Sequence, residues 1–175
     1  MGRADWVPAD LMEHILAALT PENARALRVS IATGLRIDDV LSLRRCDLEK
    51  GQRFTVVEKK TGKHRRVYLP RVLHEELMKY AGRMWAFEGR TSWKQHRTRQ
   101  AVNKDLARAA EAFRVPKRVQ ISPHSARKIY AVKMFDRYGD EKKVQELLNH
   151  GSEAVTLLYV ISEHVYNRKT RKNAK

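Results

Sequence analysis

The spacing of apolar residues in this chain is helical almost throughout and switches to alternation over one short stretch. Arg53-Phe54-Thr55-Val56-Val57-Glu58 reads as a strand, and Arg66-Val67-Tyr68-Leu69 as its hairpin partner. The connection over residues 59–64 contains Gly62 and is highly basic. One hairpin set among helical patterns implies a mainly α domain with a small antiparallel β-sheet.

The helices carry their own punctuation. Pro8 opens a first helix over residues 8–19, with Leu11, Ile15 and Leu19 at helical spacing. Thr20-Pro21-Glu22 is a cap, a proline at the first helical position and an acid for the dipole. Gly34 ends that second helix in a left-handed conformation. A short helix is expected over 36–43, and longer ones over 72–82 and 98–113, with 85–94 irregular between them. Ser122-Pro123 starts another that Gly139 closes, Asp140 caps a short one ending near residue 150, and Ser152 caps one that carries Val155, Leu158 and Tyr159. The 175 residues suit one domain, 1–166, with a basic tail, 167–175.

Charge narrows the function. Thirty-six Lys and Arg against 20 Asp and Glu give a net charge of +16, which implies a polyanionic partner, nucleic acid above all. Cys46 is the single cysteine, which excludes an intrachain disulfide and a cysteine zinc site and fits a reducing cytoplasm. No run of 18 apolar residues is present, so no membrane span is expected.

Four places concentrate chemistry. In Thr33-Gly34-Leu35-Arg36-Ile37-Asp38-Asp39, Arg36 stands between two helix ends and Asp39 lies one turn on. The plain reading is a helix-end ion pair; the sharper one is an aimed guanidinium. Lys60 and Lys63 sit on the hairpin tip, as a phosphate clamp or as a compact proton donor that reaches towards a leaving oxygen. His124 and Arg127 share the first turn of a capped helix, whose N–H groups point at any anion. Leu147-Leu148-Asn149-His150-Gly151-Ser152 precedes Tyr159 by a nine-residue step from the histidine. Tyr159 is either a core residue or a nucleophile whose phenolate cations make accessible.

Taken in order, Arg36, Lys60, His124-x-x-Arg127, His150 and Tyr159 resemble the active site of the tyrosine recombinases, the family of phage integrases and Xer-type recombinases. The matching words are Ala32-Thr33-Gly34-Leu35-Arg36, Lys60-Thr61-Gly62, Ser122-Pro123-His124-x-x-Arg127 and Leu147-Leu148-Asn149-His150-Gly151-Ser152, and the resemblance runs from about residue 19 to 166. The family usually has Gly where this chain has Asn149, and Leu and His where it has Ala126 and Lys128. Most of the family also carries an N-terminal DNA-clamping domain. The expectation is therefore a catalytic domain of a longer protein, or a likeness to the short recombinases that invert fimbrial promoters.

The resemblance implies a tyrosine recombinase catalytic-domain fold with a three-stranded sheet. It implies a site-specific recombinase that cleaves and rejoins DNA through a 3′-phosphotyrosine at Tyr159. Arg36 and Arg127 would hold the phosphate, Lys60 would protonate the leaving 5′-oxygen, His124 would move the tyrosine proton or hold the phosphate, and His150 would add a hydrogen bond. Asp39 would support them, and Lys59, Lys63, Arg65 and Lys128 are the candidate DNA-binding cations. No two-metal site is expected, since no carboxylate pair stands near these positions, and the resemblance implies no metal and no cofactor, because the protein–DNA ester keeps the bond energy. The partners implied are double-stranded DNA and three further copies, a homotetramer on two recombination sites. Two readings stay open beside it: type IB topoisomerase-like relaxation, and a DNA-binding regulator that does not cut.

Overall fold

The computed structural model describes residues 5–116 and 118–148. It contains α1 (Ala9–Ala18), α2 (Pro21–Thr33), α3 (Ile37–Leu41), α4 (Arg45–Leu48), β1 (Arg53–Val57), β2 (His64–Tyr68), α5 (Arg71–Tyr80), α6 (Arg99–Ala112), α7 (Pro123–Tyr138) and α8 (Glu141–Leu147). The fold is mainly helical with one small antiparallel sheet. Among the described residues that sheet has two strands, not three; residues 85–96 supply only isolated bridges, Arg44 to Trp85 and Glu88 to His96. The β2 strand starts at His64, two residues before the expected start, because Val57 pairs with His64 and Val56 with Arg65. The short α4 is an addition: four residues are too few to show a period.

Helix α2 is the hub. It packs against α1, α3, α5, α6, α7 and β2, and even Asn23, Arg25, Ser30 and Thr33 on it are buried. Ile15, Leu16, Leu27, Leu35, Val40, Leu69, Leu106 and Ala126 join the surrounding elements in one core. A second cluster, Tyr130, Ala131, Val144 and Leu148, fastens α8 to α7. The caps follow the local sequence. Gly34 and Gly139 close α2 and α7 with φ of 68° and 66°, and Ser122 Oγ accepts from His124 N at 3.2 Å at the start of α7. No helix among the described residues is long and apolar enough to cross a membrane.

Asp105 on α6 pins the start of α2. Its Oδ2 accepts from Thr20 N (2.8 Å), Thr20 Oγ1 (3.0 Å) and Asn23 Nδ2 (2.7 Å), while Oδ1 takes the Arg108 guanidinium at 2.7 Å. Burial alone would raise its pKa, but these donors outweigh it and lower it to about 2. A depressed pKa stabilises the fold above the unfolded value of 3.8, and the contribution is lost as pH falls through about 2. The expected size is about 2 kcal/mol. In urea titrations, the stability gap between wild type and Asp105→Asn should be constant above about pH 5 and shrink below it. A gap that does not change with pH would contradict this assignment.

Candidate active site

The site is built on the turn between α2 and α3. Ser30 Oγ donates to Leu35 O (2.8 Å), Thr33 Oγ1 donates to Val29 O (2.7 Å), and Leu35 N donates to Thr33 Oγ1 (3.2 Å). Gly34 is required twice here. Its φ is left-handed, and a Cβ would run into the Tyr130 ring that lies over it. The turn delivers Arg36 as the N-cap residue of α3, only 8 % exposed, and Asp39 one turn later, 1 % exposed.

Two other elements close on this turn. From α7, Arg127 (3 % exposed) donates through Nη1 to Gly34 O and through Nη2 to Leu148 O at 3.0 Å. Ser122 and Pro123 start the helix so that His124, exposed, lies one turn before Arg127. From the sheet, the hairpin connection is tied down where it leaves β1: Lys59 N donates to Asp39 Oδ1 at 2.9 Å. The structure thus brings Arg36, Asp39 and Arg127 together around one turn, with the loop that carries Lys60 fastened beside them. Lys60 and Lys63 are exposed on that loop. His150 and Tyr159 lie outside the described residues; Leu148, whose carbonyl Arg127 holds, precedes His150 by two positions in the chain.

The candidate DNA-binding cations divide. Lys59 and Lys63 are exposed, with Lys59 Nζ 3.3 Å from His96 Nε2. Lys128 is buried on α7. Arg65, expected on the DNA-facing surface, is turned inward: it is 8 % exposed and donates to Thr33 O, Gly34 O and Glu58 Oε1. The reason is strand parity, since Arg65 shares its face of β2 with Val67 and, beyond the strand end, Leu69.

The same parity buries a residue that the motif reading passed over. Glu58 follows Phe54 and Val56 on the inward face and is fully buried. Its Oε2 accepts from Arg36 Nη1 at 2.9 Å and its Oε1 from Arg65 Nη1 at 3.3 Å. Burial works against its ionisation, but the Arg36 and Arg65 guanidiniums and the Thr61 hydroxyl outweigh this and hold its pKa below the usual range. Asp39 goes the other way: burial raises its pKa, with Glu58 adding to the rise and the Lys59 N–H, Arg36 and Arg127 opposing it. Three guanidiniums against these two carboxylates make a cationic floor. Fixed, permanently charged planar donors of this kind suit a phosphodiester whose oxygens gain charge during reaction. Among the described residues no group of three or more His, Cys, Asp or Glu could hold a metal ion.

Comparison with known proteins agrees in one direction. Residues 5–164 match the model of the phage integrase family. The chain is 27% identical over 137 residues to the probable integrase/recombinase YoeC of Bacillus subtilis (strain 168), covering 74% of this chain and 72% of that protein. It is 30% identical over 180 residues to the putative integrase/recombinase y4qK of Sinorhizobium fredii (strain NBRC 101917 / NGR234), covering 89% of this chain and 58% of that one. It therefore spans between about half and three quarters of the length of these relatives. In fold it is similar to lambda integrase (75–356), solved as a dimer bound to a COC′ core site, with TM-score 0.72, 19% identity, and 92% of this chain and 60% of that chain covered.

Proposed function

Because the chain belongs to the phage integrase family, we propose that it cleaves and rejoins double-stranded DNA at specific sites, as a tyrosine-type recombinase acting in the cytoplasm. The observation that carries this reading is the wiring of Arg36 and Arg127 to one turn, with Arg127 bonded to Gly34 O and the Lys60 hairpin tied to Asp39 beside it.

Tyr159 attacks the scissile phosphorus and the 5′-oxygen leaves, giving a 3′-phosphotyrosine and a 5′-hydroxyl. The phosphodiester energy is kept in the protein–DNA ester, so a second 5′-hydroxyl can reverse the step on a new strand without a nucleotide cofactor. Arg36 and Arg127 neutralise the charge that grows on the non-bridging oxygens. Lys60 gives a proton to the leaving 5′-oxygen, and His124 accepts the tyrosine proton or holds the phosphate. His150 donates one further hydrogen bond to a phosphate oxygen. Lys59 and Lys63 contact the DNA backbone. Four copies on two DNA sites exchange the strands.

Three assays separate this reading from its rivals. Cleavage confined to one sequence supports recombination, general relaxation of supercoiled plasmid supports a topoisomerase, and a gel shift without cutting supports a regulator. In the binding assay, affinity should fall by about 10³-fold between about 50 and 200 mM salt if six or more phosphates are neutralised. Affinity that does not respond to salt would contradict a phosphate-binding surface.

A further inference from the structure

The buried Glu58–Arg65 pair has no part in the chemistry just described. Burying two charges costs several kcal/mol per ion before any pairing, so such a pair is weak evidence for stability and asks for another use. Each oxygen of Glu58 has separate work. Oε2 takes Arg36 Nη1 at 2.9 Å and the Thr61 hydroxyl at 3.1 Å, and Oε1 takes Arg65 Nη1 at 3.3 Å. Arg65 passes on to Thr33 O and Gly34 O, and Gly34 O also receives Arg127 Nη1. The circuit Arg36–Glu58–Arg65–Gly34–Arg127 thus closes on the turn that carries Arg36.

The backbone of Glu58 adds a second link. Its carbonyl accepts from Gly62 N (2.8 Å) and Thr61 N (3.3 Å), and its N–H donates to Lys63 O (3.0 Å). The loop that carries Lys60 is therefore closed on the same residue that orients Arg36.

We infer that Glu58, backed by Arg65, is a positioning residue: its carboxylate fixes the direction of Arg36, links it to Arg127 through Gly34, and sets the Lys60 loop against both. Its consequence for catalysis rests on the recombinase reading above; its consequence for geometry does not. A group acting at a reacting phosphate tolerates little displacement, since an error near 1 Å can cost about 10²-fold.

The test uses Glu58→Gln, Arg65→Lys and Thr61→Val in the full chain, with two readouts. Glu58→Gln should lower single-turnover cleavage by about 10- to 100-fold while DNA affinity stays within about threefold. In an Arg36→Lys background the same change should cost less than about threefold, because the two residues act as a unit. A merely structural role would give a loss that adds in full across that background and follows the melting temperature. The second readout is the ¹⁵N spectrum of the arginine side chains without DNA, where Glu58→Gln should shift the signals of both Arg36 and Arg127. Should Glu58→Gln not fold, Arg65→Lys must shift both signals and Thr61→Val must slow cleavage with Arg65 undisturbed. If wild type cleaves no DNA, the recombinase reading fails and the arginine spectra still decide the coupling. Wild-type cleavage by Glu58→Gln, or a shift confined to Arg36, would overturn the inference.

Discussion

Replacing Arg36 or Arg127 with lysine should lower single-turnover strand cleavage by about 10²–10³-fold and leave DNA affinity within about tenfold. Lysine is the informative change because both arginines are buried and bonded inside the protein. Alanine at 36 would take from buried Glu58 its 2.9 Å guanidinium partner and leave that carboxylate to Arg65 and Thr61 alone, and breaking a buried pair in this way costs the fold up to about 3–5 kcal/mol. Lost cleavage in that variant would then say little about chemistry. An ammonium keeps the charge and so keeps Glu58 compensated. Its three N–H donors all sit on one nitrogen of a flexible stem, though, so it cannot reach Glu58 and a phosphate oxygen along the two fixed, separated directions of a guanidinium plane. Binding should survive because affinity is spread over many surface cations, Lys59, Lys63 and the rest of the +16 excess among them. Rapid-quench cleavage with filter binding on the same substrate separates the two effects. Lysine variants that cleave at the wild-type rate would remove both arginines from the reaction.

Much of the architecture could be read locally because its signals are local. Pro21 after Thr20 starts α2, Gly34 stops it, Ser122 and Pro123 start α7, and Asp140 caps α8 through its side chain at 2.8 Å from Lys142 N. Each needs only a few adjacent residues, as does the alternation that marks the hairpin. What could not be read so is what depends on partners far along the chain. Asp105 on α6 works on Thr20 and Asn23 at the start of α2, more than 80 residues away, and nothing near it announces this. The α4 turn is too short to carry a period.

Glu58 and Arg65 are a different case. Their burial is implied by the parity that identified the strands: Phe54, Val56 and Glu58 from the first strand lie beside Arg65, Val67 and Leu69 from the second on the same inward face of the sheet. Residue type pulled the other way, since a lone carboxylate or guanidinium on a strand ordinarily faces water. Only the register, which sets Val56 against Arg65, brings two opposite charges to the same inward corner. Arg36, Asp39 and Arg127 were legible as motif residues. Their means of assembly was not, because it runs through backbone carbonyls of Thr33, Gly34 and Leu148 that no side-chain pattern encodes.

The proposal as a whole stands on a covalent bond between Tyr159 and DNA. It can be trapped with a nicked substrate that carries the recombination site, on which the short fragment diffuses away after cleavage and the reverse step loses its 5′-hydroxyl. A DNA-linked protein should survive SDS, and peptide mapping should place the link on Tyr159. Tyr159→Phe keeps the ring and removes the attacking oxygen, so it should bind the same DNA with unchanged affinity and yield no adduct, a loss greater than about 10³-fold against wild type. The account predicts an adduct from wild type, mapped to Tyr159 and absent from Tyr159→Phe. An adduct that persists in Tyr159→Phe, or one mapped to another tyrosine such as Tyr138 or Tyr166, would contradict it.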